Sequence, residues 1–462
     1  MNNYTNALHA VEAASGKLIE LADKIWATPE VAYTEVNACA WTAEVLKEYG
    51  FDVEVGVYGM PTAIRATWGS GHPVVGFLGE YDALPGMSQK IVENKDPIVS
   101  GGSGHGCAHN LLGVTCLGGA IGMKAEMEAK NLPGTIVFYG CPGEEQLTGK
   151  VFMAREGAFS ELDVALGWHG GTTNGVSVAD MPGMNSTIFH FKGRTAHACG
   201  DPHNGRSALD AAELMSVGTQ YLREHVTSDV RIHYSYKEAG TAPNIVHDKA
   251  VVWYYVRAAS REAVEDTYAR LVKVAEGAAH MTETEVEIEF LGGCYNTMGN
   301  VVLSKVAAEV MEKIGVPEYT AEELAFAEKL NLASPMYDKM KAAGALEGPA
   351  ICDKLYGVRG GAAFASTDVG DVMHIVPTIF IGTDTYNLAA PGHSWQITAC
   401  AGMSIGYKGM LLGAKALAAT GMEVAENMEI LEKAKAEFAE KMKGREYKCP
   451  ITPELPIPQP QK

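Results

Sequence analysis

Apolar residues recur at three- and four-residue spacing over 7 to 28 and again over 36 to 49, which predicts two amphipathic helices separated by ATPEVAYTE. Short unbroken apolar runs follow at 73 to 80 (PVVGFLGE), 134 to 140 (GTIVFYG) and 162 to 168 (LDVALGW), with another far downstream at 375 to 382 (IVPTIFIG). Each has the length of a buried strand. A helix-like stretch, 111 to 130, lies between the first two. Parallel strands need long crossovers and cover on both faces, so this alternation predicts an α/β catalytic domain with a largely parallel central sheet flanked by helices.

The middle of the chain changes texture. Strand-like segments at 185 to 193, 230 to 236, 250 to 258 and 285 to 293 alternate apolar and polar residues around two helical stretches, 207 to 225 and 261 to 280. Alternation of period two marks a sheet with one covered face. A smaller α+β domain is therefore expected as an insertion at 184 to 295, serving as a lid or dimerisation unit. The catalytic domain then comprises 1 to 183 and 296 to 462. The Pro-rich end, ITPELPIPQPQK, reads as an extended and partly mobile tail.

At 462 residues, 47% of them hydrophobic and 20% charged, the chain is long enough for two or three globular domains. The net charge of −19 argues against nucleic acid or an anionic membrane as a partner. Nine scattered cysteines form no disulfide pattern and fit a reducing compartment. The N-terminus lacks the basic-then-apolar pattern of a signal peptide, and no apolar run reaches membrane-spanning length, so a cytoplasmic protein is expected.

Candidate chemistry starts at GHGCAHN, 104 to 110. In an extended loop, Cys107 and His109 would project to the same side, as a pair of metal ligands does. Alone, that pair is equally a buried thiol beside a hydrogen-bonded imidazole. Its setting decides otherwise, because Asp82, Glu144, Glu145, His169 and His393 all fall near the carboxyl ends of predicted strands, where α/β sheets gather ligands. Thiolate, imidazole and carboxylate together suit two divalent ions of zinc, manganese or cobalt, with Cys107 or a carboxylate shared. Successive side chains of an extended segment diverge, so one of Glu144 and Glu145 is expected to bind metal and the other to take a proton from water. A non-catalytic metal or redox sensor built on Cys107 would have no use for that second glutamate. His105 and His233 are further candidates to line the cleft. The GGAA run at 360 to 363 lacks the lysine and hydroxyl residue of a phosphate loop.

In order along the chain, GEYDALPG, GHGCAHN, CPGEE, WHG, GRTAHA and PGHSWQ resemble the binuclear metallopeptidase and amidohydrolase family that includes carboxypeptidase G, aminoacylase and the indole-acetyl-amino-acid hydrolases. GHGCAHNLLG, ASTDVGDV at 365 to 372 and YTAEELAFAEKLN at 319 to 331 narrow the resemblance to its aminobenzoyl-glutamate-hydrolysing branch. The resemblance implies Cys107, His109, Glu145, His169 and His393 as metal ligands, Glu144 as general base, and Asp82 as the acid that orients a ligand histidine. It further implies that His197 and Asn244 stabilise the oxyanion, His197 from a neighbouring subunit, and that Arg257 holds the substrate carboxylate. Where the peptidase branch has a metal-binding histidine this chain has Glu80, which shifts the ligand burden to the Cys107 loop. Asn110 stands where the auxin-conjugate branch has aspartate. The implied substrate is a small N-acyl amino acid, foremost p-aminobenzoyl-glutamate or a similar aroyl-amino acid. Another N-acyl amino acid, an indole-acetyl conjugate or a dipeptide is the alternative. A homodimer through the inserted domain is implied as well, and a related partner subunit stays open.

Overall fold

A computed structural model describes residues 4–363 and 365–460. The chain begins with α1 (Thr5–Ala27) and α2 (Val36–Glu48), the two helices that the apolar spacing predicts. Val11, Leu18, Leu21 and Ile25 form the buried stripe of α1. Then come β1 (Asp52–Val55), β2 (Ile64–Ser70), β3 (Val74–Glu80), α3 (His109–Lys130), β4 (Gly134–Cys141), α4 (Gly149–Arg155), β5 (Val164–Gly171) and β6 (Asn174–Asp180). The insertion runs through β7 (Gly183–Lys192), α5 (Ala208–Leu222), β8 (Arg231–Glu238), β9 (Lys249–Ala258), α6 (Arg261–Thr282) and β10 (Glu285–Cys294). The chain returns with α7 (Val301–Ile314), α8 (Ala321–Leu332), α9 (Tyr337–Ala342), β11 (Leu355–Ala362), α10 (Val369–Met373), β12 (Thr378–Asp384), α11 (Trp395–Ala401), α12 (Ser404–Glu426) and α13 (Met428–Met442).

An eight-stranded sheet, ordered β1-β2-β4-β3-β5-β12-β6-β11, organises the larger domain. Its middle, β4-β3-β5-β12, is parallel and consists of the four apolar runs legible in the sequence. The flanks depart from that pattern: β1 pairs antiparallel with β2, β2 with β4, and β6 with β12. β1, β2, β6 and β11 escape the sequence reading because edge strands are covered on fewer sides and lack a continuous apolar run. Alternate strand residues feed opposite cores. Val75 and Phe77 pack with α1, α3 and α12, whereas Val74 and Leu78 face α4 and α10.

Helix α3 is buried on nearly every side, including both ligand-bearing His109 and the residue after it. Its glycines permit close helix approach, since a Cβ on Gly122 would lie 2.8 Å from the Ala418 Cβ on α12. The four-stranded antiparallel sheet of the insertion, ordered β10-β7-β9-β8, carries α5 and α6 and a separate apolar core. The C-terminal segment is more closely held than a mobile tail. Ile451 is buried, and the Arg155 guanidinium donates to the carbonyls of Thr452 and Leu455 at 2.9 and 2.8 Å.

Candidate metal centre and catalytic cavity

The polar residues named from the sequence converge at the carboxyl edge of the parallel strands, although not by the local geometry expected. Cys107 and His109 are not on an extended loop. Ala108 between them adopts a left-handed conformation (φ 62°) and caps α3, of which His109 is the first residue. That conformation costs a residue bearing a Cβ about 1–2 kcal/mol, and here it turns the chain so that both side chains enter one site. Glu144 and Glu145 likewise sit in a tight turn of 3₁₀ helix rather than an extended segment. The turn opens at Gly143 (φ 71°), where a Cβ would fall 2.5 Å from the Tyr33 ring. His169 lies near the carboxyl end of β5, and His393 takes a left-handed conformation (φ 50°) just before α11.

Cys107 Sγ stands 3.4 Å from His169 Nε2, and His393 Nε2 stands 3.6 Å from Glu145 Oε2. His109 Nδ1 is 3.0 Å from Asp82 Oδ1, which leaves Nε2 to face the site. That Nε2 lies 3.5 Å from Glu80, 3.9 Å from Glu145 and 4.0 Å from Glu144. Ligand-competent atoms of Cys107, His109 and His169 fall within 4.8 Å of one another, as do those of Cys107, Glu145 and His393. Cys107 belongs to both groups, so the arrangement provides two adjoining cation sites with a shared sulfur.

The donor set fits a pair of divalent ions on a further ground. His109 Nε2 and Glu145 Oε1 are buried without a hydrogen-bond partner, a costly condition that a bound cation removes. Charge points the same way. Burial pushes the Cys107 thiol up to about 12, His109 acting against it, and pushes Glu145 up to about 7 with Asp82 and Glu80 adding to the shift. Burial, Glu80 and Asp368 also hold the Glu144 carboxyl well above its usual range. Added positive charge reverses these shifts, because ligands bind in their deprotonated forms. Asp82 is held low despite its burial, by its hydrogen bond to His109.

A cavity of about 800 Å³ opens from this cluster. Leu147, Met181, Met373 and Phe380 supply apolar wall, and Tyr255 and Arg257 reach in from the insertion. Arg257 Nη1 donates to Ser366 Oγ at 2.8 Å, while its buried Nε has no partner.

Other sequence candidates lie elsewhere. His197 and Asn244 are exposed on an outer ribbon of the insertion, where Ala198 N donates to Asn244 O at 3.0 Å, and neither lines the cavity of its own chain. His105 is buried against the carbonyl of Ile25 at 3.1 Å, and His233 lies exposed on β8, so neither lines the cleft. Asn110 is structural: its Nδ2 donates to Ala401 O at 2.9 Å. Sequence reasoning passes over Lys150 and Asp368, which stand behind the cluster beside Glu80. The signal available for Lys150 is a cation among the apolar residues of GKVFMAR.

No family model matches the chain. It is 37% identical to one of the subunits of p-aminobenzoyl-glutamate hydrolase from Escherichia coli (strain K12) over 98% of both chains. The chain belongs to the M20 family of binuclear metallopeptidases and amidohydrolases. It is 29% identical to Xaa-Arg dipeptidase of Mus musculus over 94% of this chain and 91% of that one. Its M20 fold is also that of the Bacillus subtilis YXEP protein, a dinuclear metal binding peptidase (TM-score 0.61, 17% identity, 90% of this chain and 99% of that one). A Klebsiella pneumoniae aminobenzoyl-glutamate utilization protein shares it too (TM-score 0.59, 17% identity, 88% and 97%). The protein is thus a metal-dependent amidohydrolase acting on the amide bond of an N-acyl amino acid. Among the described residues, no helix is long and apolar enough to cross a membrane.

Proposed function

We propose that this M20 hydrolase cleaves p-aminobenzoyl-glutamate or a similar aroyl-amino acid. The observation that carries the reading is Arg257: a guanidinium with a free, buried N–H faces the same apolar-walled cavity as the metal cluster. An Arg fork suits a carboxylate, and the apolar wall suits an aromatic acyl group. The similarity to a p-aminobenzoyl-glutamate hydrolase along nearly the whole chain supports the same choice.

In this reading Cys107, His109, Glu145, His169 and His393 hold two divalent ions of zinc, manganese or cobalt. Such ions supply the acidity that makes water a nucleophile near neutral pH and polarises an amide carbonyl. Glu144 takes the proton of the attacking water and passes it to the leaving amine. Asp82 keeps the His109 ring oriented for its task. Arg257 fixes the substrate carboxylate and with it the register of the scissile amide.

His197 and Asn244 act from a second copy of the chain. His197 Nδ1 accepts from the backbone of Gly200 at 2.9 Å, which leaves the proton on Nε2, the form needed to donate to an oxyanion. A homodimer through the insertion is supported by its surface. Leu214, Val217 and Tyr221 make an exposed apolar stripe on α5, and β8 is a sheet edge with Tyr234 exposed. We place the insertion at 184 to 295, and the catalytic domain at 1 to 183 and 296 to 462. Nine free cysteines favour a cytoplasmic location.

The test is relative kcat/KM across p-aminobenzoyl-glutamate, benzoyl-glycine, indole-acetyl-aspartate and Xaa-Arg dipeptides. Preference for the aroyl-glutamate is the expected result. A strong preference for a dipeptide with a basic residue would favour the alternative that the 29% identity to Xaa-Arg dipeptidase suggests.

A further inference from the structure

Behind the cluster lies a buried ion triad that the proposed reaction does not use. Lys150, Glu80 and Asp368 are each at most 2% exposed. The Lys150 ammonium is 2.5 Å from Glu80 Oε1 and 2.7 Å from Asp368 Oδ1, and the Lys150 backbone N–H donates to the other Asp368 oxygen at 2.7 Å. A buried lysine is held only at high cost unless it is paired, so this arrangement demands a reason. Burial acts to discharge the ammonium, but Asp368 and Glu80 outweigh it and keep it charged.

Only one oxygen of Glu80 is taken by Lys150. The other, Oε2, faces His109 Nε2 at 3.5 Å, and Glu80, His109 and Glu144 form a third group of ligand-competent atoms within 4.8 Å. Two donors each about 2.1 Å from one tetrahedral ion stand roughly 3.4 Å apart. His109 Nε2 itself is buried and makes no hydrogen bond, so it aims an unpartnered donor position at the same space.

We propose that Glu80 is a further ligand of the metal pair, sharing an ion with His109, and that the Lys150–Asp368 pair positions it. The inference rests on the dinuclear-hydrolase reading and extends its ligand set. Lys150 takes one carboxylate oxygen and fixes the rotamer, leaving the second oxygen as the donor. Asp368 balances the ammonium and anchors it at the start of α4. This is the relation that ligating carboxylates bear to their hydrogen-bonding neighbours.

The experiment is equilibrium binding of Co²⁺ to the metal-free full-length protein, with the visible spectrum of the cobalt form as a second readout. Wild type, Glu80→Gln, Glu145→Gln and the charge-balanced double variant Lys150→Met/Asp368→Asn are compared, with circular dichroism as the folding control. Glu80→Gln is expected to weaken one of the two ions at least tenfold and to change the cobalt spectrum. The double variant is expected to change the spectrum in the same direction. Glu80→Gln with two ions at wild-type affinity and an unaltered spectrum would overturn the proposal. If Glu80→Gln does not fold, an unaltered spectrum in the double variant overturns it instead. Failure of this inference alone appears as loss of an ion in Glu145→Gln but not in Glu80→Gln. Failure of the dinuclear reading appears as a wild type that binds no cobalt.

Discussion

Asp82 and His109 share a 3.0 Å hydrogen bond through Asp82 Oδ1, and the second oxygen of the same carboxylate accepts from the backbone N–H of Glu145 at 2.8 Å. One buried side chain thereby sets the position of residues on two separate segments, the start of α3 and the turn after β4. Asp82→Asn keeps the shape but removes the charge and one acceptor. The expected result is metal affinity lowered by about 10–100-fold, read by competition with a chromophoric chelator. Unchanged affinity would show that the carboxylate merely fills space.

Glu144 is assigned the proton transfer and Glu145 a metal. Glu144→Gln is expected to retain both ions and lose turnover by about 100-fold or more, measured as single-turnover rate alongside metal content. Full activity in that variant would remove Glu144 as the base.

Arg257 is assigned the substrate carboxylate. Its removal in Arg257→Ala is expected to lower kcat/KM by about 10–100-fold, mostly through KM. The specific check is a substrate whose α-carboxylate is amidated. Wild type should lose that discrimination energy with the amide, whereas Arg257→Ala should treat the two substrates alike.

His197 lies outside the cavity of its own chain, so its role requires exchange between copies. Glu144→Gln and His197→Ala are each expected to be nearly inactive. After unfolding and refolding together, mixed dimers contain one site with both residues intact, and a statistical mixture should recover about a quarter of wild-type activity. No recovery, with hybrid dimers demonstrated, would place His197 outside the reaction or within its own subunit's site.

His374 supplies a prediction about stability. Burial pushes its pKa down to about 4, and its Nε2 is 3.1 Å from the Asn296 carbonyl. The unfolded chain takes up a proton on this histidine near about pH 6.5, before the folded protein does. The contribution of neutral His374 is thus complete above about pH 6.5 and is lost as pH falls toward about 4. Urea unfolding of wild type and His374→Gln should show a stability difference that shifts against the wild type across that window. A difference independent of pH would contradict the assignment.

The parallel middle of the large sheet was legible because β3, β4, β5 and β12 are covered on both faces and so are written as unbroken apolar runs. The insertion was legible because its strands, such as β9, alternate with one face covered. Edge strands β1 and β11 left no such trace, and the antiparallel joints at β2 and β6 are set by pairing partners distant in the chain. At the metal centre the residue types were readable but their local geometry was not. Cys107 and His109 converge through a left-handed Ala108, a backbone state that tertiary packing imposes and that alanine does not announce. Lys150 was invisible for a related reason: a lysine in sequence reads as surface, and only the fold brings it between Glu80 and Asp368.

The most direct test of the account is titration of the metal-free protein with zinc, manganese and cobalt while following release of p-aminobenzoate from p-aminobenzoyl-glutamate, with a chelated control. The account predicts no release in the control and activity that rises to a plateau near about two ions per chain. Release that is indifferent to chelation, or no hydrolysis of any N-acyl amino acid with two ions bound and the dimer formed, would contradict it.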